Sequence, residues 1–452
     1  MKKQARNRFT LWLMLLLWLP VHASAQETAR PTTPPPVVAD PSSTVKRTVY
    51  TPATPSAEDV VPLPYGGLLT GREGILVESR DGRTQFEQQS NVGFNPASTI
   101  KLATALAALR TFGPNHRFNT VLWTNGRFDQ ATSTIEGDLI ISGRDPSFNY
   151  EHAMMLAGEL NKLGIRTVTG DLIVAPGFTM NYSPSALRSG ENFYDTLDAT
   201  RRPTGASRAW SEYQRVAASV QSQTLPSVGV MGAVYVASVP AGARQLLLHR
   251  SSTLVDVLKV LECYSNNFMA DRLGDQLGGP EGLERFLAST VGVNPSEVYL
   301  ATASGLGVNR VTPRAMMKIW RALAAELGKH KLVPSDILPV AGVDPGTLRK
   351  RYTSLQSRGS VIGKTGTLGR TDGGASALVG QMRTRTGETL YFVIFNQRGS
   401  VWRFRQMQDE FVWQLQSERG GPAPFVYTAR SLALRLNNTE SRATGTDEYE
   451  PN

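Results

Sequence analysis

The chain has one cysteine, Cys263, in 452 residues. A lone thiol cannot form an internal disulfide, so the stability of the folded chain must come from packing. Histidine is also scarce: the five residues are scattered singly, no zinc-finger or phosphate-loop spacing occurs, and no metal site is expected. Long apolar runs are missing too. The stretch Leu11 to Leu19 is too short for a comfortable membrane span, and no cysteine follows it to carry a lipid.

What is present reads as an exported globular protein. Lys2, Lys3, Arg6 and Arg8 precede the apolar stretch and Ala23-Ser24-Ala25 follows it, the order of a signal peptide (1–25) cleaved after Ala25. Residues 26–66 are rich in Pro, Thr, Ser and Val, including Pro34-Pro35-Pro36, and read as an extended linker. The remaining chain is long enough for one large core or a few smaller ones, and the overall 40% hydrophobic content is that of a globular protein. A formal charge of +10 favours acidic partners such as cell-wall carboxylates or anionic lipid. With no nucleic-acid-binding pattern beside it, this charge reads as solvated surface that leaves room for peripheral contact with a membrane.

Folded structure is expected to begin near Leu68. Gly74 to Ser79, Asp81-Gly82 and Thr84 to Glu87 read as a hairpin, because Asp-Gly suits a tight turn. A helix rich in good helix formers starts near Ser98 and runs through Leu109. Phe118 to Trp123, Thr134 to Ser142 and Val168 to Val174 read as strands, with a helix at Glu151 to Leu163. Gly137-Asp138-Leu139-Ile140 and Gly170-Asp171-Leu172-Ile173 match, as two strand entries of similar local geometry. The pattern weakens from 181 to 241, which reads as part of an inserted subdomain. Helices return at Thr253 to Leu261, Phe268 to Leu277, Glu281 to Leu287 and Pro313 to Leu327. Ala375 to Met382 and Thr389 to Phe395 read as antiparallel strands, and Val401 to Leu415 as a closing helix; helices from both ends of the chain would cover that sheet. The polar tail after Gly420 has no core of its own and is expected to be mobile.

The stretch around which the chemistry is organised is Phe94 to Lys101. Residues three apart share a helix face, so Lys101 lies one turn along from Ser98 and over the same spot. An amine kept neutral by burial or by a second positive charge can take the proton of that hydroxyl and make it a nucleophile. Ser-x-x-Lys is a short pattern, and Ser43-Thr44-Val45-Lys46 satisfies it in a stretch where no helix should form. The plain alternative is a capping serine beside a solvated lysine. Ser265-x-Asn267 and Lys364-Thr365-Gly366 follow in order; by themselves they could be a helix cap and an exposed strand lysine.

The ordered trio resembles that of serine β-lactamases and penicillin-binding proteins. Asn309 to Pro313, Leu338 to Asp344 and Thr347-Leu348 narrow the resemblance to the class C low-molecular-mass penicillin-binding proteins, the D-Ala-D-Ala carboxypeptidase/endopeptidase family of penicillin-binding protein 4. It covers about Leu68 to Gln416. The resemblance implies an α+β transpeptidase-like fold, an antiparallel sheet flanked by helices, with 67–115 and 245–418 as catalytic domain, 116–244 as inserted subdomain and 419–452 as flexible tail. It implies that Ser98 forms an acyl-enzyme with Lys101 as base, that Ser265 relays a proton and that Asn267 holds the substrate amide. Lys364 and Thr365 would bind the terminal carboxylate, and Gly366 would let the strand come close enough for the N–H groups of Thr367 and Ser98 to form an oxyanion hole. The substrates would be peptidoglycan stem peptides and the covalent inhibitors β-lactams, with no cofactor. Two features depart from the family. The middle motif is Ser-Asn-Asn where Ser-Asp-Asn is common, and Ser265 lies only 167 positions after Ser98 (265 − 98), which implies a shortened insert. A catalytically silent wall-binding homologue and a serine β-lactamase are the competing readings.

Overall fold

The computed structural model describes residues 72–217 and 225–443; the expected signal peptide and linker lie outside them. The site is built on a five-stranded sheet in the order Val361–Leu368, Ala375–Arg383, Thr389–Gln397, Glu73–Ser79, Thr84–Gln88, antiparallel throughout. The expected hairpin closes across Gly82, whose φ of +97° is a conformation glycine adopts without a Cβ penalty. Side chains alternate between the faces, and both faces are covered. Ile75, Val77, Phe392 and Ile394 pack with Phe411, Val412 and Leu415 of the helix Val401–Ser417. Leu76, Val393 and Phe395 share the opposite core with the helices Lys101–Phe112 and Pro313–Lys329. Burial from both sides explains why Leu390 to Phe395 is an unbroken apolar run.

Residues 119–250 supply most of a second body. Its larger sheet has six strands in the order Val234–Val236, Leu172–Val174, Leu139–Gly143, Asn119–Thr124, Arg244–Arg250, Glu440–Ala443. A four-stranded sheet lies beside these in sequence, Arg127–Asp129, Thr134–Glu136, Thr167–Val168, Gly229–Val230. The two matching Gly-Asp steps are therefore not strand interiors. Each of the expected strands 134–142 and 168–174 is cut in two there and changes sheet. The cause is backbone crowding: a Cβ on Gly170 would lie 2.6 Å from the Gly137 carbonyl. The aspartates then join successive corners, Asp138 accepting from Asp171 N at 2.8 Å and Asp171 from Ala233 N at 2.6 Å. The weakly patterned stretch from 181 contains two amphipathic helices, Ala186–Leu197 and Thr204–Val216.

Two boundaries differ from expectation. A division at 244 and 245 falls at the start of the strand Arg244–Arg250, which pairs along its length with Asn119–Thr124. The segment after Gly420 is not a free tail as far as residue 443. Leu432 and Leu436 of a short helix are buried against Val260 and Cys263, and Glu440–Ala443 pairs with the exposed edge of Arg244–Arg250. His249 Nδ1 lies 2.8 Å from Ser441 Oγ, and the His152 ring nitrogen Nε2 lies 3.2 Å from the Leu436 carbonyl. Such a strand gains its stability from backbone pairing at an edge, which a polar sequence does not advertise. Among the described residues no helix is long and apolar enough to cross a membrane.

Candidate active site

Asn95 shapes the entry to the first helix. Its carboxamide oxygen accepts from Ala97 N at 3.0 Å, and its nitrogen donates to Asp372 at 2.7 Å, a carboxylate also gripped by Nη1 and Nη2 of Arg310 at 2.8 Å. Ala97 is held at φ +46°, a left-handed conformation that costs a non-glycine residue about 1–3 kcal/mol. Ser98 follows in a 3₁₀ turn, Ala97–Ile100, which passes directly into the α-helix Lys101–Phe112. The helix is buried along Lys101 to Leu109, and Lys101 has no exposed surface. Its Nζ lies 3.0 Å from Ser98 Oγ, 2.8 Å from Asn267 Oδ1 and 2.5 Å from the Ser304 carbonyl. A neutral amine fits these three contacts completely: two N–H bonds reach the two carbonyl oxygens, and the lone pair is left for the serine proton.

Ser265 and Asn267 come from the join between two helices. Leu254–Tyr264 ends at Ser265, whose φ of +55° is left-handed, and Asn267–Asp275 starts two residues later. The residue that caps the second helix is Asn266, which accepts from Met269 N at 3.0 Å. Ser265 and Asn267 are thereby free to point into the cleft. Gly346 packs against this turn so closely that a Cβ would come 2.0 Å from the Cys263 carbonyl. Cys263 itself is buried, and burial pushes its thiol up to about 12, which leaves it without thiolate character.

The third segment is the edge strand Val361–Leu368. Lys364 is fully buried, and its Nζ donates to Ser265 Oγ at 2.7 Å and to the Thr365 carbonyl at 2.9 Å. A Cβ at Gly366 would lie 2.6 Å from the Pro96 carbonyl and 3.0 Å from Ala97 Cβ, so only glycine lets this strand sit against the start of the Ser98 helix. Main-chain groups of alternate residues face the same side of a strand. Ala341 N donates to the Val361 carbonyl and Gly363 N to the Pro339 carbonyl, so the same side of Thr365 and Thr367 continues along the open edge beyond that pairing. Arg405 donates to Thr367 Oγ1 at 2.8 Å.

Burial pushes the Lys101 amine down to about 7, helped by the charge of Lys364 and opposed by Glu262 and Asp271. Lys364 is lowered to about 8, again by burial and against the pull of Glu262. Both amines are thus held well below the ordinary lysine range. A cleft of about 710 Å³ opens over these groups, lined by Ser98, Ser265, Asn267, Thr365 and Thr367, with Arg349, Lys350 and Arg405 among its other residues and, among the described residues, no carboxylate. Asn95, Glu262, Asp271, Ser304 and Asp372 were not singled out from the sequence. Ser304 acts through its main-chain carbonyl, which leaves no side-chain signature, and the carboxylates have no spacing that ties them to the trio.

A serine bonded to the amine of a lysine three residues on, set between a Ser-x-Asn turn and a Lys-Thr-Gly edge strand on a helix-covered antiparallel sheet, is the arrangement of the penicillin-binding serine peptidases. The chain belongs to the D-Ala-D-Ala carboxypeptidase 3 (S13) family, whose pattern matches residues 67–182 and 195–414. It is therefore a hydrolase of the serine-type D-Ala-D-Ala carboxypeptidase class. A carboxypeptidase of Mycobacterium tuberculosis is 28% identical over 418 residues, covering 83% of this chain and 87% of that protein. The carboxypeptidase DacB of Mycolicibacterium smegmatis is 28% identical over 430 residues, covering 84% and 89%. Among solved structures, the penicillin G-acylated predatory endopeptidase of Bdellovibrio bacteriovorus superposes with a TM-score of 0.68 at 23% identity, over 80% of this chain and 96% of that one. Penicillin-binding protein 4 of Haemophilus influenzae gives 0.55 at 23% identity, over 75% and 96%. These structures share the fold.

Proposed function

We propose that the chain removes the terminal D-Ala from peptidoglycan stem peptides, or cuts the cross-links between them, through an ester on Ser98. The observation that carries this reading is the Lys101 amine, buried and shared between Ser98 Oγ and Asn267 Oδ1. Lys101 takes the proton of Ser98 as its oxygen attacks the penultimate carbonyl carbon. The N–H groups of Ser98 and Thr367 stabilise the oxyanion that develops. Asn267 uses its free amide nitrogen to hold the substrate backbone, since its oxygen is already engaged by Lys101. Lys364 and Thr365 bind the terminal carboxylate, with Gly366 allowing the close approach. Ser265, bonded to Lys364, passes the proton to the leaving amine as the C–N bond breaks. Water then hydrolyses the ester.

Two competing readings fare less well. A silent homologue has no need of a buried neutral base aimed at a serine. A fast β-lactamase of the kind that uses a carboxylate to activate water would need that carboxylate in the cleft, and the lining has none among the described residues. We assign catalysis to the body that carries Ser98, Ser265 and Lys364, and export past the cytoplasmic membrane to the basic, apolar leader, cleaved after Ala25. The substrate lies on that side of the membrane. Incubation with a synthetic peptide ending in D-Ala-D-Ala is expected to release D-Ala with the wild type and none above background with Ser98→Ala. Equal release by both proteins would contradict the assignment. The same assay on a cross-linked wall dimer reads the endopeptidase activity.

A further inference from the structure

The helix that delivers Ser265 carries a group for which the proposed mechanism has no task. Glu262 is fully buried, and neither carboxyl oxygen has a hydrogen-bond partner among the described residues. A buried polar group left unpaired is costly, more so when charged. The lysine one turn earlier cannot relieve it, because Lys259 Nζ is saturated by Asp344 at 2.7 Å and by the carbonyls of Ser335 and Leu338 at 2.8 and 2.7 Å. The cations left to Glu262 are Lys101 from the nucleophile helix and Lys364 from the edge strand, both without exposed surface. The other titratable groups nearby are Cys263, whose thiol stays protonated, and Asp271, which bears on Lys101 from the helix Asn267–Asp275. Glu262 is not part of the cleft lining and would not touch a substrate.

Two buried amines with no counter-charge both tend to lose their protons. The proposed reaction needs them to differ, Lys101 neutral to act as a base and Lys364 charged to hold a carboxylate. We propose that Glu262 is the positioning residue that separates them: its carboxylate stabilises the Lys364 ammonium inside the protein while Lys101 stands neutral beside Ser98. This rests on the roles given above to the two lysines. The balance of interactions agrees with it. Burial raises the Glu262 carboxyl, and the charges of Lys364 and Lys101 pull it back down, so the three groups act on one another inside the protein.

The test is the pH profile of acylation by a fluorescent penicillin, compared between wild type and Glu262→Gln, with Glu262→Leu as a second variant suited to a dry site. Loss of the carboxylate lowers both lysines. The alkaline limb, where Lys364 loses its charge and Glu262 is ionised, should move toward acid by roughly one pH unit. The acid limb, where Glu262 is already taking up a proton, should move less, so the bell narrows and its maximum falls. A merely structural role would lower the amplitude and leave both limbs in place. That outcome in a folded variant overturns the inference alone. Loss of the fold in both variants would mark Glu262 as structural and also overturn it. A wild type that takes up no penicillin at any pH overturns the reading of the site, and the inference with it.

Discussion

Substituting methionine for Lys101 is expected to slow acylation of Ser98 by about 10³-fold, the usual contribution of a positioned general base. The substitution fits the apolar environment of the helix and removes only the amine that lies 3.0 Å from Ser98 Oγ. The fold should survive it. In the wild type, the rate should rise as pH passes through about 7, where Lys101 gives up its proton, and fall as Lys364 loses its own near 8. Both signs follow from the roles: the base must be neutral, and the carboxylate anchor must be charged. Stopped-flow acylation by a fluorescent penicillin across the neutral range measures both effects. A Lys101→Met protein that acylates at the wild-type rate would remove the base from the mechanism.

The largest loss of stability is expected from Lys259→Met. Lys259 and Asp344 form an ion pair at 2.7 Å in which neither side chain has any exposure. Asp344 also accepts from Val340 N at 2.8 Å and from the Tyr427 hydroxyl at 2.7 Å, so the pair joins the Leu254–Tyr264 helix to the 338–347 loop and to the chain beyond 420. Removing the lysine leaves a carboxylate buried without its counter-charge, which costs about 3–5 kcal/mol. That is a large fraction of the stability of an ordinary domain. Because the same loop packs Gly346 against the turn before Ser265, activity should fall along with the denaturation midpoint. Urea unfolding of the two proteins measures this. A difference under about 1 kcal/mol would show that the interior relaxes around the orphaned carboxylate.

The parts of the molecule that could be read from its sequence are those in which a local signal and the tertiary environment agree. The Asp81-Gly82 turn between alternating strands and the apolar run Leu390 to Phe395 specify the sheet almost unaided. The Ser98 to Lys101 spacing puts both side chains on one face, although the first turn is 3₁₀ and tighter than expected. What could not be read depends on partners far away in the chain. Gly137-Asp138 and Gly170-Asp171 look like strand entries, and only the stacking of one corner on the next shows that the chain changes sheets there. Leu432 and Leu436 lie in a short helix beyond the closing helix, and their burial depends on the distant Val260 and Cys263 lying opposite them. Glu262 sits in an amphipathic helix, where a glutamate ordinarily faces solvent. Its burial becomes visible only when the helix, the strand and the Ser98 turn are brought together.

The central claim is that Ser98 forms an ester with its substrate, and the most direct measurement is the intact mass of the protein after exposure to a penicillin. Opening of the four-membered ring keeps the departing nitrogen attached, so the account predicts a gain equal to the whole drug, carried on the peptide that contains Ser98 and absent in Ser98→Ala. An unchanged mass, or an adduct mapped to any other residue, would contradict it.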